Sequence, residues 1–245
     1  MCSNYKPVTL QDRLLAHFGV TRPDTETPPE AWPGYNAPFI VRPDDKADVQ
    51  RETMVGQYGL VPTWSKDLLL GRKTYNSRSE TAAEKPSFRE AWRKRRWCII
   101  PAEELYEPNW ETGVAVRWAV RRIGGPIGAA GLWGMWLDPK TGERVPTFTM
   151  LTVNADDHPL YKRFHRPGEE KRMPVILHPE DFDAWLNCSV DTAMSFMKQY
   201  PAALLEAAPF PLPGRQSATK KAPPAKHKPP AQKPQLPPET PDPFD

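Results

Sequence analysis

A close succession of strand-like runs between residues 97 and 177 constrains the fold of this chain more than any other feature. Residues 97–102 are short and apolar. Residues 114–122 set Val114, Val116, Trp118 and Val120 against smaller or charged neighbours, the period of two that one buried sheet face requires. Residues 127–136, 146–153 and 173–177 follow as further strands, with turn signals at Gly124-Gly125 and from Pro139 to Gly142. Strands joined mostly by turns, with helices toward the ends, predict an α+β domain around a curved or barrel-like, mostly antiparallel sheet.

The helical signals lie outside that stretch. Thr9-Leu10-Gln11-Asp12 has the form of a capping box, after which Leu10, Leu14, Leu15 and Phe18 share one face of a short helix ending near Gly19. Ser87-Phe88-Arg89-Glu90 repeats the form and opens a helix carrying Ala91 and Trp92. Residues 179–186 and 190–200 predict two closing helices. Residues 51–60 read as a strand, and 21–48, rich in Pro, Asp, Thr and Gly, as a long irregular connection. One domain is expected over 2–209. Residues 210–245 are crowded with proline and lysine and nearly free of large apolar side chains, so they are expected to remain a disordered tail.

Composition narrows the functional classes. Three cysteines, Cys2, Cys98 and Cys188, are an odd number without C-x-x-C spacing, which argues against a disulfide framework and a zinc site. No cofactor or metal is implied. The opening residues lack the basic and apolar regions of a signal peptide, and no apolar run approaches the roughly 20 residues that span a bilayer. A soluble cytoplasmic protein is the expectation. The net charge of +3 is mild, but Arg93 to Arg96 form one basic run and Lys162, Arg163, Arg166, Lys171 and Arg172 bracket His165. Each run reads either as a solvated face or as an anion contact.

Four groups of residues carry potential chemistry. Removal of Met1 would expose Cys2 with its α-amine and thiol on adjacent carbons, both partly deprotonated near neutral pH. Such a 1,2-aminothiol condenses with an aldehyde to a Schiff base and closes a five-membered thiazolidine ring. In Tyr75-Asn76-Ser77-Arg78-Ser79-Glu80-Thr81 an alternating strand would turn Asn76, Arg78 and Glu80 to one side, where an amide and a guanidinium suit a sugar and a phosphate. The same residues also read as a turn with an Arg78–Glu80 surface pair, the reading that the residues alone favour. A buried-looking strand from Ile99 delivers Glu107 between Tyr106 and Trp110, a setting for proton transfer in which Glu103 and Glu104 compete. His165, among cations, should have its charged form disfavoured and be neutral near pH 7. An exposed Trp64 or Trp110 would offer a base-stacking surface, whereas Trp118, Trp133 and Trp136 read as core.

Together these groups resemble the SRAP family, the SOS response-associated peptidases or abasic-site processing proteins. Its members begin Met-Cys-Gly-Arg, carry Asn-x-Arg-x-Glu-Thr and Pro-Ala-x-x-x-Tyr-Glu-Trp motifs, and have a histidine ahead of Arg-Met-Pro-Val-Ile-Leu. The matches here are Cys2, NSRSET at 76–81, PAEELYE at 101–107, and His165 with RMPVIL at 172–177, in the family's order. The chain departs from the pattern at Ser3-Asn4, which replace Gly-Arg, and at Pro108, which displaces the aromatic to Trp110. It also carries RPGEEK between His165 and Arg172. The resemblance implies a monomer that binds single-stranded DNA at abasic sites and forms a thiazolidine crosslink through Cys2, shielding the lesion, and that is nucleoid-associated when DNA-bound. It also implies peptidase activity in removing Met1 and a lyase activity. Asn76 would position the adduct, Arg78 and Trp64 would contact the strand, and Glu107 and His165 would move protons. A cysteine peptidase acting in trans and a non-catalytic single-strand binder are the alternative readings.

Overall fold

The computed structural model describes residues 3–22, 24–43 and 50–212. Its elements run β1 (Asn4–Pro7), α1 (Gln11–Phe18), β2 (Asn36–Val41), β3 (Glu52–Tyr58), β4 (Asn76–Arg78), α2 (Arg89–Arg93), β5 (Trp97–Asn109), β6 (Val116–Arg122), β7 (Ile127–Leu137) and β8 (Arg144–Asn154). Then follow β9 (Arg172–Pro174), β10 (Ile176–Leu177), α3 (Phe182–Asn187), α4 (Val190–Ala193) and β11 (Leu205–Pro209).

The sheet closes on itself. Its order is β10-β7-β8-β3-β2-β5-β6-β11, and a further pairing of β7 with β5 joins β7, β8, β3, β2 and β5 into a five-stranded barrel. Strands β3 and β4 run parallel to β8, and the other pairings are antiparallel. The α+β, barrel-like, mostly antiparallel expectation therefore holds.

Two strands exceed what the sequence pattern shows. Strand β5 is 13 residues long rather than six, because it serves two sets of partners. Its first half pairs with β7 from Trp97↔Leu132 to Ala102↔Ile127. Its second half pairs with β6 from Leu105↔Val120 to Asn109↔Val116 and, on the other edge, with β1. Glutamates at 103, 104 and 107 interrupt its apolar run and conceal its length. Strand β2 lies inside the stretch that reads as a connection, yet residues 37–41 are all buried. A strand covered on both faces shows no alternation, so the period-two signal is missing.

The helices are shorter than the capping signals suggest. Leu10, not Thr9, precedes α1 and makes no side-chain cap, while Gly19 ends it at φ 67° and donates to the carbonyls of Leu14 and Leu15. Helix α2 is preceded by Phe88 rather than Ser87. Helix α4 stops at Ala193 and continues as a 3-10 turn to Phe196. The barrel interior is filled by aromatic side chains: Phe39, Tyr58 and Phe148 lie with ring centroids 4.9 and 5.5 Å apart, and Tyr58 meets Tyr5 edge-on at 5.3 Å. Just after β3 the chain crosses itself at Gly59, whose φ is +119° and where a Cβ would lie 2.0 Å from the Gly71 carbonyl oxygen. Only glycine fits there.

Candidate active site

The site forms where the end of β5 emerges between β1 and β6. Strand β1 pairs with β5 through Asn4↔Tyr106 and Tyr5↔Leu105, so Ser3, one step ahead in the antiparallel register, falls on the Glu107 side. A bridge from Tyr5 to Ala31 holds the other edge of β1, with reciprocal N–H to carbonyl bonds of 2.9 and 3.2 Å. Cys2 lies outside the described residues. Of the Ser3-Asn4 departure, Asn4 is buried and its amide donates to Glu30 at 3.1 Å.

Glu107 sits opposite Trp118 in the β5–β6 register and is 1% exposed. The loop carrying His165 covers it. Phe164 bridges to Asn109, and the His165 N–H donates to the Pro108 carbonyl at 2.8 Å. The ring of Phe164 meets that of Trp118 edge-on at 6.2 Å. These contacts bring the imidazole Nε2 to 3.6 Å from the Glu107 carboxylate and 3.2 Å from the Arg172 carbonyl oxygen. A carbonyl only accepts, so Nε2 carries the hydrogen and Nδ1 presents a lone pair. Burial, aided by the nearby Lys171 cation, pushes the His165 pKa down to about 4, so the ring is neutral at pH 7. His165 also holds φ at +63°, a conformation that costs a non-glycine residue about 1 kcal/mol or more. The Lys171 ammonium, donating to the His165 carbonyl at 3.3 Å and to that of Arg166 at 2.5 Å, helps to fix it.

Asn76 and Arg78 stand on β4, which pairs with β8 through Asn76↔Met150 and Arg78↔Thr152. The hydroxyl of Tyr58 donates to the Asn76 carbonyl oxygen at 3.4 Å, and the Tyr58 ring touches Tyr5 of β1. Arg78 is half-exposed and pairs with Glu170 at 2.6 Å rather than with Glu80. Glu80 turns away on a 3-10 turn and accepts two bonds from Arg172, at 2.8 and 2.7 Å. The guanidinium of Arg172 is buried and donates also to Glu170 at 2.8 Å and to the Thr152 carbonyl at 2.7 Å. Burial pushes the Glu80 carboxyl up, but Arg172 outweighs it and holds the pKa below the usual range; Arg172 first, then the Asn154 amide and Arg78, do the same for Glu170. Contacts thus run from Asn76 through Tyr58 to β1, across β5 to Glu107 and His165, and through Arg172 and Glu170 back to Arg78.

Asn76, Arg78, Glu107 and His165 are therefore gathered by one network. Trp64 is not part of it. It lies 59% exposed beyond β3, next to Ser65, whose carbonyl accepts from the Trp136 indole. Trp136 pairs with Val145, five residues along β8 from the partner of Asn76, or about 17 Å. The basic run at 93–96 stands at the far end of β5, with Arg95 donating to the carbonyls of Asn187 and Cys188 and Lys94 paired with Glu90. The second run rims the site: Arg163 pairs with Glu111 and covers Trp118, and Arg166 lies 4.8 Å over Trp110. Tyr58 and Glu170 carry no sequence signal of a role, whereas Arg172 lies within the quoted RMPVIL motif. Among the described residues no cluster of His, Cys, Asp and Glu could hold a metal ion, and no helix is long and apolar enough to cross a membrane.

A closed mixed barrel, with a buried carboxylate and a neutral imidazole at the end of β5 beside the N-terminal strand, makes this a single-domain α+β protein. The chain belongs to the SOS response associated peptidase (SRAP) family, whose model matches residues 1–211. It is 35% identical over 159 residues to the abasic site processing protein YoqW of Bacillus subtilis (strain 168), covering 62% of this chain and 66% of that protein. To the abasic site processing protein HMCES of Gallus gallus it is 27% identical over 169 residues, covering 58% and 47%. The chain thus matches slightly under two thirds of the first relative's length and less than half of the second's. A crystal structure of a protein from Bordetella bronchiseptica shares the fold at TM-score 0.79 and 39% identity, over 86% of this chain and all of that one. A structure from Bacteroides thetaiotaomicron, at TM-score 0.70 and 24% identity, shares the fold.

Proposed function

We propose that this protein processes abasic sites in single-stranded DNA by forming a covalent crosslink through Cys2 once Met1 has been removed. The observation that carries the proposal is the enclosed Glu107–His165 pair at the end of the strand against which the N-terminal strand is paired. Family membership and the names of the relatives support it.

An abasic deoxyribose opens to expose an aldehyde at C1′. The Cys2 amine adds to that carbon, and the carbinolamine loses water to give a Schiff base. The thiol then adds to the carbon–nitrogen double bond and closes a thiazolidine, so aldehyde and aminothiol combine with the release of one water. The Glu107 carboxylate takes a proton from the Cys2 ammonium so that the amine attacks as its free base. Neutral His165, with its Nδ1 lone pair, takes the proton of the C1′ hydroxyl as the sugar ring opens and delivers it to the ring oxygen, which becomes the C4′ hydroxyl, while the proton held by Glu107 goes to the departing water. Asn76, oriented by Tyr58, hydrogen-bonds the sugar, and Arg78 holds a flanking phosphate. Met1 removal by the same machinery accounts for the peptidase name.

The test is incubation with single-stranded DNA carrying one abasic site. A denaturation-resistant adduct is expected for the wild type and none for Cys2→Ala; unchanged yield in Cys2→Ala refutes the proposal.

A further inference from the structure

The acidic residue Glu170 lies in the segment between His165 and Arg172, and its two carboxylate oxygens are divided between two arginines. Oε1 accepts from Arg172 at 2.8 Å and Oε2 pairs with Arg78 at 2.6 Å. The two partners differ in kind. Arg172 is buried and fixed by Glu80 and the Thr152 carbonyl, so the inner half of Glu170 is anchored. Arg78 is half-exposed at the outer edge, with no other ion pair among the described residues. The carboxylate therefore presents the Arg78 guanidinium to solvent already oriented and already neutralised.

We propose that Glu170 is a specificity-determining residue: it occupies Arg78 in the free protein and makes an incoming phosphate compete for that guanidinium. The proposal rests on the reading of Arg78 as a phosphate contact. A phosphodiester oxygen must displace Oε2 from Arg78, while Oε1 keeps Glu170 on Arg172 and leaves its negative charge beside the phosphate. An exposed ion pair exchanges cheaply, so the competition weakens binding without blocking it. An intact strand, held only by reversible contacts, bears that penalty in full. A strand bonded covalently to the protein does not dissociate because of it. Glu170 thereby biases retention toward lesion-bearing strands.

Removing the Glu170 charge should tighten binding, a gain that a damaged fold does not produce. The assay is equilibrium binding, by fluorescence anisotropy, of the full chain to an intact single-stranded oligonucleotide at about 0.1 M salt, near a 10 Å screening length. Glu170→Gln is compared with Glu169→Gln, which makes the same charge change one residue away at a carboxylate with no ion pair among the described residues. Glu170→Gln is expected to tighten binding about two- to fivefold beyond Glu169→Gln, the range of an exposed pair. Its salt dependence should steepen by about 0.7 in log–log slope, one further phosphate neutralised. In an Arg78→Ala background the gain should vanish. Glu170→Ala, read at equal folded fraction, provides a second route should the amide disturb packing. Equal affinities for the two glutamine variants, a gain that persists without Arg78, or no binding by either Glu170 variant overturns the proposal. An intact strand offers no aldehyde, so failure of crosslinking would sink the proposed function and leave this result standing.

Discussion

Lowering the pH should destabilise this protein through His165 by an amount the site geometry sets. The imidazole is 5% exposed, and its pKa is pushed down to about 4 from an ordinary value of 6.5. The folded state therefore resists a proton that the unfolded chain accepts. The stabilisation is fully present above pH 6.5 and is lost as pH falls toward 4, where the folded protein takes up the proton too. The gap between 6.5 and about 4, at about 1.4 kcal/mol per pKa unit, amounts to roughly 3 kcal/mol. Other groups titrate in the same window, so the quantity to measure is the difference between wild type and His165→Gln. Urea unfolding at pH 7, 6, 5 and 4.5 should show the wild type losing about 2 to 3 kcal/mol relative to the variant. Parallel curves, agreeing within about 0.5 kcal/mol over that range, would show that His165 titrates normally. The neutral-histidine role in proton transfer would fall with it.

Three further outcomes follow from the fold and the site. Gly59→Ala should cost more than about 2 kcal/mol or prevent folding, read as the thermal midpoint, because its Cβ meets the Gly71 carbonyl at a φ of +119°. A midpoint within a degree or two of wild type would contradict the crossing. Glu107→Gln keeps the side-chain shape and should slow crosslinking at pH 7 about a hundredfold or more, with binding of intact strands unchanged; an undiminished rate would remove Glu107 from the chemistry. Trp64→Ala should leave the thermal midpoint alone, since the ring is mostly exposed, and weaken single-strand binding by about 1 to 3 kcal/mol. Unchanged affinity would mean the strand does not pass over it.

The residues legible in the sequence were those whose signal is local. Turn residues and the alternation along β6 gave the sheet its character, and the short motifs named Asn76, Arg78, Glu107 and His165, which the fold brings into one network. What stayed hidden depends on distant partners. Strand β2 is buried on both faces and so has no periodic pattern, and β5 accommodates glutamates because they find partners distant in sequence, Glu103 with Arg13 on α1 and Glu104 with Arg121 on β6. The same holds for charge: Arg78 and Glu80 look like a pair at a spacing of two, yet each is claimed by a residue about 92 positions away. Capping boxes failed at both Thr9 and Ser87: α1 and α2 each begin one residue later than the side-chain signal, after Leu10 and Phe88, which make no side-chain cap.

The central claim is a covalent bond at Cys2, and intact-mass spectrometry of the protein after incubation with an abasic oligonucleotide tests it most directly. The account predicts one species at the mass of the chain without Met1 plus the oligonucleotide, less one water, with proteolysis placing the addition on the peptide that begins at Cys2. A protein that retains Met1, an unmodified mass, or an adduct mapped to a lysine would contradict it.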